Sequence, residues 1–196
     1  MSADPNVPLA AFTEYAAAHH WVAIHLTQLL GVLLMVTALM LLSRKLAEGP
    51  AVDWATLGMT GAISSLAVAS VLQAVDGVAL KTVVDHWAAA FGPEKSLIFQ
   101  VAFGVRQIEV GLAGITSVLF GLTGFVYGVA LLVDRRFSRW VGTIALVAGV
   151  PTAISGFAIA TTGFSDIAMA ISMPSSAALI LWMIALGIIG WRRQAF

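Results

Sequence analysis

The sequence predicts an all-α transmembrane helical bundle of five spans, and three observations carry that expectation. Charged residues make up 10% of the 196-residue chain and hydrophobic ones 60%, whereas about 25% of a soluble domain is charged. Mean hydropathy is +0.96. The apolar residues fall in five blocks, about 21–43, 54–76, 110–133, 140–162 and 172–191, each close to the ~20 residues a helix needs to cross ~30 Å of hydrocarbon. The whole chain is expected to form one integral membrane domain.

Asp4, Pro5, Asn6 and Pro8 read as an irregular lead-in, with Asn6 suited to cap a helix and Pro8 to its first turn. The lead-in lacks the basic region of a secretory signal, so it is expected to be retained. The first span contains His25 as its only ionisable residue and stops at Arg44 and Lys45. Gly49-Pro50 makes the next break. A second helix starts near Trp54 and continues past Asp76, because nothing from Gly77 to Ala90 interrupts it. After the turn Phe91-Gly92-Pro93, Pro93 and Glu94 open a third helix that can run to Val133. At 1.5 Å per residue that helix is about 60 Å long, twice the hydrocarbon thickness, so its first turns should stand outside the bilayer. Ile98, Val101, Ala102, Val105 and Ile108 should pack it on the second helix. A fourth helix from Trp140 to Thr162 carries Pro151 near its centre. The fifth is expected from about Pro174, read as a first-turn proline, or a few residues earlier, to Trp191, after a connection over 163–172 that contains Asp166 and Met169.

An odd number of spans puts the termini on opposite sides. Arg44, Lys45, Arg135, Arg136, Arg139, Arg192 and Arg193 collect on one side, and Lys81, Lys95 and Arg106 on the other. The positive-inside rule then predicts an outside amino terminus and a cytoplasmic carboxyl terminus, with the first three helices extended beyond the outer face. Trp54, Trp140 and Trp191 fall at the inner boundary in this arrangement, and Trp21 at the outer one. Glycine recurs every seven residues at Gly114, Gly121 and Gly128, and again at Gly142, Gly149, Gly156 and Gly163. Such seams let helix backbones approach closely. They fit internal packing of the third and fourth helices or a homodimer.

Chemistry is expected at the outer boundary. Level-matching across the Phe91-Gly92-Pro93 turn sets Asp76 opposite Gln107, with Arg106 and Glu109 within one turn and His20 and His25 near the same height. His25 and Gln28, Gln73 and Asp76, and Arg106 and Glu109 are each spaced to share a helix face. His25, Gln28, Asp76, Arg106 and Glu109 are therefore the candidate ligand-binding residues, and Arg106 is expected to reach both Asp76 and Glu109. The bland alternative is a set of hydrated boundary charges. No metal is expected, since no tight ligand spacing is present, and no cofactor: His86 lies ten residues beyond Asp76, about 15 Å further out, too far to pair with a histidine of the first span around a haem. The absence of cysteine excludes disulfides and thiolate sites. Between these levels the spans hold hydroxyls such as Thr116, Ser117, Thr152 and Ser155 but no carboxylate, which disfavours a small transporter.

Three short features, Val75-Asp76-Gly77, the Arg106 to Glu109 RxxE pattern, and the Arg135-Arg136 loop before a Trp-led helix, resemble small multi-pass membrane proteins of bacteria. That resemblance covers the second to fourth helices, implies the cell membrane as location, and carries no assigned activity. A binding or accessory role through the outer polar cluster is expected, with a lipid-like or small polar molecule as ligand and the bilayer as surroundings. The alternative is a membrane-embedded enzyme acting on a lipid-like substrate. Balanced charge, ten Lys and Arg against ten Asp and Glu, gives no footprint for nucleic acid.

Overall fold

The computed structural model describes residues 4–193, with no strand among them. Its helices are α1 (Pro8–Ala17), α2 (Trp21–Ala47), α3 (Val52–Ala74), α4 (Lys81–Ala89), α5 (Gly92–Val133), α6 (Arg139–Thr162) and α7 (Asp166–Arg193), and a π-helical turn over Val75–Leu80 joins α3 to α4 without a break. Five of these rods, α2, the continuous Val52–Ala89 rod, α5, α6 and α7, are long and apolar enough to cross a membrane. The side chains of Trp191, Arg192 and Arg193 lie outside those described.

Helices adjacent in sequence pack in order, α2 on α3, α3 on α5, α5 on α6 and α6 on α7. The result is an arc whose free edges are α2 and α7. The tightest contact is between α5 and α6, and the glycine seams make it: a Cβ added at Gly114, Gly121 or Gly128 would stand 2.9, 2.6 or 2.9 Å from the carbonyl oxygen of Gly156, Gly149 or Gly142. No real Cβ tolerates such a distance to backbone. The seams are thus engaged within one chain, and a second copy would have to dock elsewhere. Gly163 is not part of the seam; at φ +67° it ends α6.

At the end of the bundle carrying the 134–138 loop, the arc closes. Val36, Leu39, Leu42 and Leu46 of α2 share an apolar core with Tyr127 and Leu131 of α5 and with Trp182 and Leu186 of α7. Tyr127 is fully enclosed; its hydroxyl donates to the Leu39 carbonyl at 3.0 Å and meets Ser43 Oγ at 2.7 Å, and that Oγ reaches the Ala55 carbonyl at 3.1 Å. Its ring lies where any side chain at Gly58 would go. In the loop, Arg136 donates to both Asp134 carboxylate oxygens and, at 2.7 Å, to the Lys45 carbonyl near the end of α2.

The opposite end differs from expectation in two places. The first helix is two helices: the chain turns at Ala18–His20, and α1 folds back so that Ala11, Phe12 and Tyr15 form a second core with Leu80, Val84, Trp87 and Ala102. Phe12, Trp87 and Phe99 meet edge-on or tilted with centroids 5.5–6.1 Å apart, a favoured aromatic geometry. Lys81, almost buried, closes α1 by donating to the Ala16 carbonyl at 3.2 Å while pairing with Asp85. The second difference is in α7, which starts at Asp166, so Pro174 and Met169 are interior helix residues. Pro174 is tolerated there because spans accommodate proline where neighbouring groups absorb the distortion. It lines a cleft of about 450 Å³ between α6 and α7 together with Pro151.

Candidate functional site

The π turn organises the polar end. Widening a helix by one residue disturbs the backbone hydrogen-bond ladder, and inside a membrane every backbone carbonyl needs a donor. Trp21 of α2 supplies one: its indole Nε1–H donates to the Asp76 carbonyl at 2.9 Å. One turn further along α2, His25 presses against the same segment. A Cβ at Gly77 would lie 2.5 Å from the His25 Cβ, so glycine is what allows α2 to come this close. The Val-Asp-Gly triplet therefore encodes a docking platform for Trp21 and His25, whose rings stack with centroids 4.7 Å apart.

His25 Nδ1 lies 2.8 Å from the Trp21 carbonyl, and Nε2 lies 3.0 Å from Asp76 Oδ2. Both ring nitrogens thus face acceptors. Nδ1 carries a proton to donate to the carbonyl, and a second proton must bridge Nε2 and the carboxylate. On α5, Arg106 and Glu109 pair with each other while only 6% and 3% exposed. Arg106 also donates to the Pro5 carbonyl at 3.4 Å, and its guanidinium sits 5.6 Å from the Tyr15 ring and 5.1 Å from that of Phe164. Burial pushes the Tyr15 hydroxyl above its usual pKa, with nearby Arg106 opposing.

The expected Arg106 fork across Asp76 and Glu109 is corrected by this geometry. The π turn aims Asp76 at α2, whereas Arg106 looks the other way, toward the amino-terminal strap and the α6–α7 connection. That strap is anchored by Asn6, which donates from Nδ2 to the Phe164 carbonyl at 3.0 Å. His20 remains exposed at the start of α2 and does not join the cluster. No three His, Asp or Glu side chains among the described residues are placed to hold a metal.

Gln28 lies elsewhere, and with it the feature that sequence reasoning missed. Next to the cluster, the arc leaves a cavity of about 860 Å³ between its free edges. Val32 and Met35 of α2, Phe120 of α5, and Leu179, Met183 and Ile184 of α7 give it apolar walls, while Gln28 and Gln73 bring amides to the side nearest His25 and Asp76. Its volume falls within the ~300–1,000 Å³ of small-molecule pockets. Gln73 Oε1 and Asp76 Oδ1 are both enclosed and without a hydrogen-bond partner. Unpaired polar groups at membrane depth are costly, by several kcal/mol in pure hydrocarbon. The i, i+3 pairs His25/Gln28 and Gln73/Asp76 were legible as same-face patterns; the cavity beneath them depends on α2 and α7 failing to close, which no local pattern encodes.

Comparison of the chain with protein-family models, with curated proteins and with solved structures finds no match.

Proposed function

We propose that this is a multi-pass membrane protein that binds an amphipathic, lipid-like molecule, with the apolar tail in the α2–α7 cavity and the polar head against Gln28 and Gln73. One observation carries the reading: a mainly apolar cavity of about 860 Å³ is lined by the side chains of Gln28 and Gln73 from facing helices. A ligand entering between α2 and α7 comes directly from the bilayer, so its tail never crosses water. The basic bias of the loops favours placing the head at the outer boundary, in the cell membrane of a bacterium.

The enzyme reading is weaker on a specific ground. A general base needs a free lone pair aimed at substrate, and both His25 nitrogens are engaged, one by the Trp21 carbonyl and the other by Asp76. Arg106 and Glu109 likewise neutralise each other. The cluster serves to shape and hold the end of the cavity.

The test is photolabelling in nanodiscs with two diazirine-bearing single-chain probes, a monoacylglycerol and a fatty acid, followed by peptide mapping. Label should concentrate on residues 28–35 and 176–184, and Gly31→Trp, which projects a ring from a position with open space around it, should suppress it. Label spread evenly over lipid-facing positions such as Val147 and Phe157, and insensitive to Gly31→Trp, would refute the reading. Single cysteines at Ser96 and Ser138, in a chain that otherwise has none, test orientation with an impermeant reagent: only the first should react in intact cells.

A further inference from the structure

α5 has a face turned away from the α2–α7 cavity that nothing among the described residues covers. Ser117 and Phe120 look into the cavity. Gly114, Gly121 and Gly128 meet α6, and Thr123 and Tyr127 meet α3. The remaining side of the helix carries Leu97, Val101, Ile108, Ile115 and Leu122, each at least half exposed. Gly104 and Gly111 stand between them with open space beyond.

Two features separate this face from an ordinary lipid-facing surface. The first is where it goes. The Arg106 guanidinium lies 5.1 Å from the Phe164 ring, in the α6–α7 connection, so residues 92–105 of α5 rise about 20 Å past the ends of α6 and α7. Only α1 and α4 accompany them, packed on another side of the helix around Ala102. Acyl chains cover Ile115 and Leu122, but they do not reach Leu97 and Val101, which continue the same face into water, where exposed apolar surface is costly. The second feature is spacing. From Leu97 the intervals are four, three, four, three, four and then seven, the alternation that keeps one seam facing a parallel partner helix. Val101, Ile108 and Ile115 occupy the row in which β-branched residues favour two-stranded pairing, and Leu97 begins the alternate row.

A partner must therefore be a helix that crosses the membrane, rises past it, and offers an uncharged heptad face, and α5 is itself such a helix. Copies inserted in the same direction meet with α5 parallel and each residue level with its own counterpart, about a two-fold axis along the membrane normal. Contact of a face with itself demands self-complementarity. From Leu97 to Leu122 this face holds no charge, and the exposed amides of Gln100 and Gln107 at its border can both donate and accept. Glu94, one turn before Leu97, would meet its own like charge, so the contact begins at Leu97. We propose that the protein pairs with a second copy of itself along this face of α5, through a parallel helix contact that starts outside the membrane and runs into it. Each copy keeps its own cavity, on the opposite side of α5.

The experiment is charge exchange at Val101 in the full chain, read by sedimentation in mild detergent. The parent should sediment as a dimer. Val101→Lys and Val101→Glu should each weaken dimerisation by about tenfold or more, because like charges then face each other, and an equimolar mixture of the two should recover mixed dimers. A second measurement covers the case in which a charged variant does not fold. Val101→Cys, in a chain that otherwise has no cysteine, should cross-link to a dimer under mild oxidation in liposomes, whereas Ser96→Cys, on another side of the helix, should not. A parent that is monomeric in both detergent and liposomes overturns the proposal, whether lipid or a different protein then covers the face. A dimer that survives both charge variants, or equal cross-linking at 96 and 101, overturns it as well.

Discussion

The α5–α6 contact and the α2–α7 gap are two opposite solutions to packing apolar helices. Along the first, glycines at matched levels bring carbonyls and amides of two helices within a distance that excludes even a methyl group. Along the second, the free edges of the arc meet through Leu39, Leu42, Trp182 and Leu186 at one end and stand apart at the other, leaving about 860 Å³. Both involve apolar helices, so hydrophobicity does not separate them. Side-chain size and the pinning of the ends do. In lipid, where apolar surface gains little by leaving the solvent, backbones that come close gain dispersion contact, and large side chains with nothing opposite leave a space for a guest.

The largest effect should come from the seam itself. Gly121→Leu puts a side chain where the Gly149 carbonyl already lies 2.6 Å from a bare Cβ, well past the ~1–3 kcal/mol usual for overpacking, and little folded protein should survive detergent extraction. Gly31→Leu, on the gap side with nothing within 4 Å, should melt like its parent. Equal detergent melting temperatures for the two variants would remove the distinction between seam and gap.

The next effect concerns the lock at the His25 end. Arg106→Ala leaves Glu109 buried without its partner, which should cost about 3–5 kcal/mol. Lys95→Ala loses only a contact to the Trp87 ring at 5.0 Å and a long hydrogen bond, about 0.5–1 kcal/mol. Adding Glu109→Gln to Arg106→Ala should recover much of the loss. An Arg106→Ala protein as stable as its parent would show that the pair does not hold this end.

At the other end Tyr127→Phe removes the hydroxyl that ties α5 to Leu39 and Ser43. A loss of about 1–3 kcal/mol is expected, together with a wider gap, seen as faster labelling of a cysteine at Val32. The Asp134–Arg136 latch adds a pH signature. Hydrogen bonds from Arg136 hold the Asp134 carboxyl below its ordinary pKa. A depressed folded pKa means stability that is fully present above the unfolded value of about 3.9 and is lost as pH falls through the folded one. Parent and Asp134→Asn should therefore differ in melting temperature at pH 7 and begin to converge only as pH falls below about 4. The smallest change should have the opposite sign: Gly111→Ala, inside α5 with open space around it, should gain about 0.5–1 kcal/mol from helix propensity.

How much of this was legible in the sequence follows from what each feature depends on. The spans, the α4–α5 turn at Phe91-Gly92-Pro93 and the facing glycine seams rest on composition and period, which a sequence displays directly. The convergence of His25 with Asp76 was visible as a shared height. Its partner choice was not, because the π turn rotates Asp76 toward α2 and away from Arg106, and nothing but Val-Asp-Gly hints at that turn. The break at Ala18–His20 was hidden for a similar reason: no proline or glycine marks it, and the return of α1 is driven by the distant Trp87 and Phe99. Pro174 misled by its preference for first turns, since α7 had already begun at Asp166.

The π turn has one more consequence, which is a matter of phase. An α-helix advances about 100° per residue, so one additional residue within a turn offsets everything beyond it by that angle relative to an uninterrupted helix. Below the turn, the rod sets Gly58 and Gly61 against Tyr127 and Thr123; above it, Val84 and Trp87 face Phe12. Rewinding the turn to an α-helix with every residue kept would swing α4 through roughly a third of a revolution and carry Trp87 off the amino-terminal helix. Deleting one residue, at Val78, would instead remove the bulge and leave Trp87 in its present phase. The rod behaves as a shaft with a keyed joint at Asp76, so the alignment of the amino-terminal cap and the contact of Asp76 with His25 are set by the same joint.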